Sequence, residues 1–474
     1  MQPETSFVNS AVTRADYSRA RRTRDVRFDG LFFVAVKTTG IFCRPVCPVV
    51  PPLEANVEYF DHAAKALQAG YRPCLRCRPD SAPGSNAWQG TDTSFQRALR
   101  LIDEGALQHA SLPQLAERLG ISDRYLRRLF QERLGLSPKA YALYGQVMFA
   151  KKLLHETSLP ITDIALASGF NSLRRFNDAF VKLLFLAPTD IRRNRSANSQ
   201  VQLTLSYRPP LNWPAMLAYW RKRCIAGLEW VSDNAYGRQI SLRDPHTNKL
   251  AKGRFTLTGQ GEGEPLQLSV QLESPALLKT LIARVRRLLD LDADIHLIES
   301  HLAQVPGFAP LLTPGLRIPG IWHPFEAGVR AILGQQVSVA AARTHVERLV
   351  HALGDVEQKE GVDNYYFPEP QAVAESKLDM LKLPNSRRDT LKNFARWYHE
   401  QGEQSPVSDW LQLKGIGPWT LDYVRMRALG HTDVWLAGDL GIKKALANLE
   451  AVQGFDAELL KPWRSYATFH LWNV

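Results

Sequence analysis

Four of the chain's five cysteines fall before residue 80 as two close pairs, Cys43-x-x-x-Cys47 and Cys74-x-x-Cys77. Two such pairs separated by a folded segment suit a tetrahedral zinc ion with four thiolate ligands, so Cys43, Cys47, Cys74 and Cys77 are expected to bind Zn2+. A zinc-bound thiolate keeps its charge at neutral pH and remains a nucleophile. Arg44, Arg72, Arg76 and Arg78 flank the pairs and could hold a phosphate backbone against them. A purely structural zinc is the plainer alternative. Cys224 stands alone in Arg223-Cys224-Ile225-Ala226 and reads as a small buried residue, not a nucleophile.

A second constellation lies far along the chain. Leu413-Lys414-Gly415-Ile416-Gly417-Pro418-Trp419 reads as a helix-hairpin-helix. Gly415 and Gly417 permit a tight turn whose N–H groups approach a phosphate closely, and the next helix N-terminus favours its negative charge. Lys414 adds a cation. Asp439 follows Trp419 by one helix and a returning loop, as a candidate catalytic acid.

These groups must be positioned by more than one core, since 474 residues exceed what a single core usually serves. The pattern predicts a multidomain α+β chain. A small zinc-binding α/β unit spans 1–82 and contains a strand-like Leu31–Val36. An all-α block spans 90–195, an α+β domain 200–290 and an all-α helix-hairpin-helix domain 291–474. Polar joints at 80–86 and 192–199 separate the first three. Period-two alternation at 201–207 and 266–272 marks strands.

The all-α block contains an internal repeat, Leu115-Ala116-Glu-Arg-Leu-Gly120-Ile121-Ser122 echoed by Ile164-Ala165-Leu-Ala-Ser-Gly169-Phe170-Asn171. In each copy Ala faces the partner helix, Gly makes the turn, and Ser122 or Asn171 caps the next helix. The second helices carry Arg124, Arg127 and Arg128, and Arg174 and Arg175. That is the geometry of paired helix-turn-helix motifs in adjacent major-groove segments. Charge agrees. Residues 1–200 hold 28 Lys and Arg against 18 Asp and Glu, and residues 201–474 hold 31 against 29. A basic first half points to nucleic acid. No apolar run approaches a membrane span and the N-terminus shows no leader, so a soluble, cytoplasmic chain is expected.

Resemblance sharpens this. Thr38-Thr-Gly-Ile-Phe-Cys43-Arg-Pro-x-Cys47 with Gly70-Tyr-Arg-Pro-Cys74-x-Arg-Cys77 resembles the Ada methyl-acceptor domain. By that resemblance Cys43 takes a methyl group irreversibly from a DNA methylphosphotriester while remaining a zinc ligand. Methylation removes a negative charge facing DNA and should tighten binding. The repeat block resembles the AraC-type regulator domain, with Leu184-Phe-Leu-Ala-Pro188 replacing a Gly-containing turn. No Pro-Cys-His-Arg motif of O6-alkylguanine methyltransferases occurs.

Residues 200–474 resemble the AlkA family of 3-methyladenine DNA glycosylases. The motifs are Tyr207-Arg-Pro-Pro-Leu-Asn-Trp213, Val285-Arg-Arg-Leu-Leu-Asp-Leu-Asp292, Phe325 through Ser338, the hairpin, and Pro462-Trp-Arg-Ser-Tyr-Ala467. Asp439 then takes the aspartate role, stabilising an oxocarbenium-like sugar as the base leaves. Trp419 stands where bifunctional relatives carry lysine, which implies a monofunctional hydrolase. Trp419, Tyr423 and Trp472 match aromatic positions suited to a flipped, cationic purine, with hydrophobic core as the bland alternative for Tyr423 and Trp472. Gln335 matches the pocket edge, and Gln336 replaces a wedging leucine. His323, His345 and His470 read as structural. The expected partners are alkylated duplex DNA and promoter DNA, bound by a monomer. The rival reading is a methylation-responsive transcription regulator whose C-terminal half binds DNA without catalysis.

Overall fold

The computed structural model describes residues 14–24, 28, 32–47, 49–74, 77, 79, 93–192, 201–244, 249–261, 263–359, 361–403, 405–436, 438–449 and 455–473. Arg76, Arg78, Leu31 and most of both polar joints lie outside them. Contacts divide the chain into two units, 1–199 with 275–280, and 200–274 with 281–474.

The first unit opens on a small sheet of four strands, β1 (Phe33–Val36), β2 (Ile41–Cys43), β3 (Val57–Phe60) and β4 (Arg72–Pro73), ordered β3-β1-β2-β4. β1 pairs antiparallel with β2 and β3, while β4 runs parallel to β2 with Phe42 opposite Pro73. That parallel register brings Cys43, the last residue of β2, and Cys74, the residue after β4, to one end of the sheet. Phe32, Val34, Val57 and Tyr59 form the core beneath.

The helical repeat follows. Helices Leu112–Arg118 and Asp123–Leu134 make the first copy, and Ile161–Ala167 and Leu173–Leu184 the second, linked by Pro138–Glu156. Ala116 and Ala165 are buried, and Gly120 and Gly169 turn the chain at φ +70° and +82°. Ser122 caps its helix through the Tyr125 N–H at 3.2 Å. In the second copy the cap is Ser172, through the Arg175 N–H at 3.4 Å, and not Asn171 as expected. That turn holds one residue more, so Asn171 falls a position too early to reach the first-turn donors. Phe185 ends the second copy at φ +57°, where Gly135 ends the first at +66°.

The second unit begins with an antiparallel sheet ordered β5-β9-β8-β7-β6, formed by β5 (Val201–Leu205), β6 (Glu229–Val231), β7 (Ala235–Arg243), β8 (Leu250–Thr258) and β9 (Leu266–Leu272). Alternate residues such as Leu203, Leu205, Phe255, Leu257, Leu266, Leu268 and Val270 are buried. A buried ion cluster ties this sheet to helix Pro324–Gly334. Arg238 pairs with Glu326 at 2.9 Å and Glu229 at 3.5 Å, and Arg330 pairs with the same two carboxylates at 2.8 and 3.1 Å. Breaking one partner of such a cluster would strand a buried charge at a cost of about 3–5 kcal/mol.

Helices then dominate around a core of Phe325, Val329, Leu349, Phe394, Trp410, Leu421 and Val424. The structure adds a short ribbon to this stretch, β10 (Val356–Lys359) paired with β11 (Val362–Tyr365). Gly361 turns it at φ +77°. Its alternation spans only four residues per strand and much of it is exposed, so sequence periodicity carries little of it.

Candidate functional site

The four cysteines of the first unit converge. Their Sγ atoms lie within 4.8 Å of one another and all four residues are buried. The Cys74 N–H donates to the Phe42 carbonyl at 2.9 Å, extending the parallel pairing to the ligands, and the Cys47 N–H closes a turn onto Arg44 at 3.1 Å. Tetrahedral Zn–S bonds place sulfurs about 3.8 Å apart, so the cluster fits the ion with a contraction of about 1 Å at most. Charge says the same. The side chains of Cys74 and Cys77, and then burial, push the Cys43 thiol far above its ordinary value. Four thiolates are tolerated here only around a cation.

The sulfurs are not equivalent. The Arg44 N–H donates to Cys77 Sγ at 3.3 Å, and the Arg44 guanidinium reaches the Cys77 carbonyl at 3.5 Å. Cys77 therefore shares its charge with a backbone donor. Arg44 is half-buried beside the cluster and Arg72 half-buried in β4, whereas Arg76 lies outside the described residues.

In the repeat block Arg124, Arg127, Arg128, Arg174 and Arg175 are all exposed on the second helix of each copy. Arg127 pairs with Asp123 at 3.3 Å, and Arg128 with Glu132 at 3.7 Å. Such exposed pairs contribute about 0–1 kcal/mol each.

The hairpin of the second unit is tight. Gly415 has φ +90°, and a Cβ there would stand 2.1 Å from Thr390 Oγ1. Thr390 Oγ1 in turn donates to the Lys414 carbonyl at 3.1 Å. Gly417 is the N-cap of helix Pro418–Arg427 without a side-chain cap, so no side chain screens the first turn from an anion. Lys414 and Gly415 are exposed. Gln335 donates to the Gly415 carbonyl at 3.2 Å and to Thr420 Oγ1 at 3.3 Å, binding the hairpin to the turn after helix Pro324–Gly334. The next residue, Gln336, is exposed in that turn at φ +57°.

Asp439 precedes helix Leu440–Leu449, and its own carbonyl accepts from the Lys443 N–H at 2.9 Å. Its Oδ1 accepts three donors, the Gly441 N–H at 2.9 Å, the Ile442 N–H at 3.3 Å and the Trp472 indole N–H at 3.0 Å. Oδ2 has no hydrogen-bond partner among the described residues. A carboxylate held by one oxygen, with the other open, is fixed in direction and still able to face a developing cation.

Two sets of rings lie near, one running from this acid and one on the hairpin helix. Trp472 meets Phe469 at 5.1 Å between centroids, Phe469 meets Tyr219 at 5.7 Å, and Trp419 stacks on Tyr423 at 5.3 Å and 23°. Trp419, Tyr423 and Trp472 are half-buried. Tyr219 and Phe469 escape a motif-by-motif reading, because they come from separate helices more than two hundred residues apart. Two of the histidines make structural contacts. His323 caps helix Pro324–Gly334 through Phe325 N–H at 3.1 Å, and His470 accepts from Thr313 N–H at 3.1 Å. Cys224 is half-buried, and burial pushes its thiol up to about 12.

Comparison with known proteins follows this division. Residues 16–80 match the metal binding domain of Ada, 115–194 a helix-turn-helix domain, and 202–323 the AlkA N-terminal domain. A probable bifunctional transcriptional activator/DNA repair enzyme AlkA of Mycobacterium tuberculosis is 37% identical over 96% of this chain and 95% of its own length. DNA-3-methyladenine glycosylase 2 of Escherichia coli is 32% identical over 57% of this chain and 96% of its own. The bifunctional transcriptional activator/DNA repair enzyme Ada of Escherichia coli is 42% identical over 25% of this chain and 32% of its own. The chain belongs to the family of bifunctional transcriptional activator/DNA repair enzymes AlkA, in which an Ada-type zinc domain and a helix-turn-helix domain share one polypeptide with an AlkA-type DNA glycosylase.

Proposed function

We propose that this chain senses and repairs alkylated DNA. It hydrolyses the N-glycosidic bond of alkylated purines such as 3-methyladenine, accepts methyl groups from DNA methylphosphotriesters, and binds promoter DNA as a cytoplasmic monomer. The observation that carries the glycosylase is Asp439, fixed through Oδ1 by three donors, one of them the indole N–H of Trp472, whose ring meets Phe469.

In base excision the hairpin Lys414-Gly415-Ile416-Gly417 holds a phosphate, and Gln336 fills the space left in the duplex. Trp419, Tyr423 and Trp472 receive the everted base. As the C1′–N bond breaks, the ionised Asp439 lies against the oxocarbenium-like sugar and orients the attacking water. No lysine stands on the hairpin helix at Trp419, so the product is an intact abasic site.

In methyl transfer Cys43, Cys47, Cys74 and Cys77 would hold zinc, which would keep their sulfurs ionised at neutral pH. The Cys43 sulfur attacks the methyl carbon. The S–C bond forms as the C–O bond breaks, and the phosphodiester leaves with the electron pair. Arg44 and Arg72 hold the backbone for this step. The Arg44 N–H on Cys77 Sγ favours Cys43 over Cys77 as the nucleophile, since a hydrogen-bonded thiolate is less reactive. The segments 1–82, 90–195, 200–290 and 291–474 divide these tasks.

Full-length protein and Cys43→Ala with DNA bearing radiolabelled methylphosphotriesters test the acceptor. Label should enter the wild type alone, and equal labelling of the variant would remove Cys43 from this role.

A further inference from the structure

Arg427 ends the hairpin helix and is 4% exposed, yet it forms no ion pair among the described residues. Its guanidinium lies against three rings, 4.9 Å from Tyr219, 5.4 Å from Tyr423 and 5.5 Å from Phe469. Nε donates to the Pro319 carbonyl at 2.6 Å. Nη1 donates to the Tyr219 and Tyr423 hydroxyls. Nη2 has no hydrogen-bond partner among the described residues, and it is not one of the fully buried unpaired atoms, so it keeps some access to solvent.

Two of those rings continue directly into the site. Tyr423 stacks on Trp419, and Phe469 touches Trp472, whose N–H holds Asp439. A buried positive charge with one unpartnered nitrogen thus lies behind the rings that lead to Trp419 and to Trp472. Aromatic faces alone favour a cationic base, but a guanidinium behind them opposes one.

We propose that Arg427 sets the charge preference of the base pocket and supports excision of neutral damaged bases that carry a carbonyl or ring-nitrogen acceptor. The inference rests on the glycosylase reading above. When the glycosidic bond breaks, its electron pair goes to the base nitrogen. A cationic N-alkylpurine therefore leaves neutral, whereas a neutral base leaves as an anion that later takes a proton from water. The hydroxide part of water ends on C1′ in both cases. Only the anionic departure gains from a nearby cation, and that gain appears in the transition state. Of the Arg427 nitrogens Nη2 is the one without a described partner, and it is assigned to the acceptor atom.

The test uses the full chain and duplexes carrying either a single 7-methylguanine, cationic, or a single hypoxanthine, neutral. Single-turnover release is measured for the wild type, Arg427→Met and Arg427→Lys. Methionine should lower the hypoxanthine rate relative to 7-methylguanine by about tenfold or more, the scale of one partly screened charge. Lysine, which keeps the charge, should hold the ratio within about threefold. The ratio is read within one preparation, so partial misfolding does not mimic the effect. An unchanged ratio, an equal loss for both bases, or an equal shift in the Met and Lys variants would overturn the proposal. So would a wild type that releases only 7-methylguanine. Release of neither base by the wild type would instead sink the glycosylase reading.

Discussion

The indole N–H of Trp472 donates to Asp439 Oδ1 at 3.0 Å, joining the last described helix to the loop that carries the acid. The same ring meets Phe469 at 5.1 Å, so one residue both packs against a neighbouring ring and orients the carboxylate. Trp472→Phe keeps an aromatic wall and removes the donor. The excision rate should fall about tenfold, in keeping with the loss of one hydrogen bond to a charged group. Binding to abasic-site DNA should change little. Single-turnover kinetics beside a binding titration separate the two, and an unchanged rate would leave Trp472 as a wall alone.

Phe185 should be a site of stabilisation. It closes its helix in the left-handed region at φ +57° with its side chain 70% exposed. A side chain costs roughly 1–2 kcal/mol there and glycine does not. Phe185→Gly should raise the stability of the first unit by about 1 kcal/mol in urea unfolding. A loss of stability would mean that the ring makes a contact worth more than the backbone cost.

Acid should weaken the second unit through His470. Burial pushes its imidazole down to about 4 from 6.5, so the folded state keeps it neutral. Below pH 6.5 the unfolded chain binds a proton that the folded chain refuses, and stability is lost as pH falls toward 4. The full shift is worth about 3 kcal/mol. Asp290, pushed up to about 6 by burial, tilts the opposite way over an overlapping range. The difference between wild type and His470→Asn isolates the histidine, since asparagine still offers the Thr313 N–H an acceptor. That difference should shrink on acidification from pH 7 to 4.5, and a flat difference would contradict it.

The glycine hairpin should be intolerant at one position and lenient at the other. A Cβ at Gly415 meets Thr390 Oγ1 at 2.1 Å in a left-handed backbone, whereas one at Gly417 meets nothing within 4 Å. Gly415→Ala should weaken salt-sensitive binding to undamaged duplex by about tenfold or more, and Gly417→Ala by less. Fluorescence anisotropy at two salt concentrations reads this, and equal effects would contradict the geometry.

Much of the site was legible because its chemistry is local in sequence. The cysteine pairs, the hairpin and the repeated Ala-x-x-x-Gly turn each sit within a few residues, and their physical demands fix the residue types. The extra residue before Ser172 was not legible, because Asn171 and Ser172 are both good caps and only the backbone path chooses between them. Tyr219, Phe469 and Arg427 were hidden for another reason. Each is ordinary on its own helix, and they become a group only when distant helices pack. The sequence also assigns Gln335 to the pocket edge, while its hydrogen bonds reach the hairpin.

The central claim is that Asp439 catalyses removal of alkylated bases. Release of 3-methyladenine and 7-methylguanine from alkylated duplex DNA should be compared for wild type and Asp439→Asn. The account predicts release by the wild type without strand cleavage, a loss of about a thousandfold in the variant, and nearly equal abasic-DNA binding by both. Undiminished release by the variant, or none by the wild type, would contradict it.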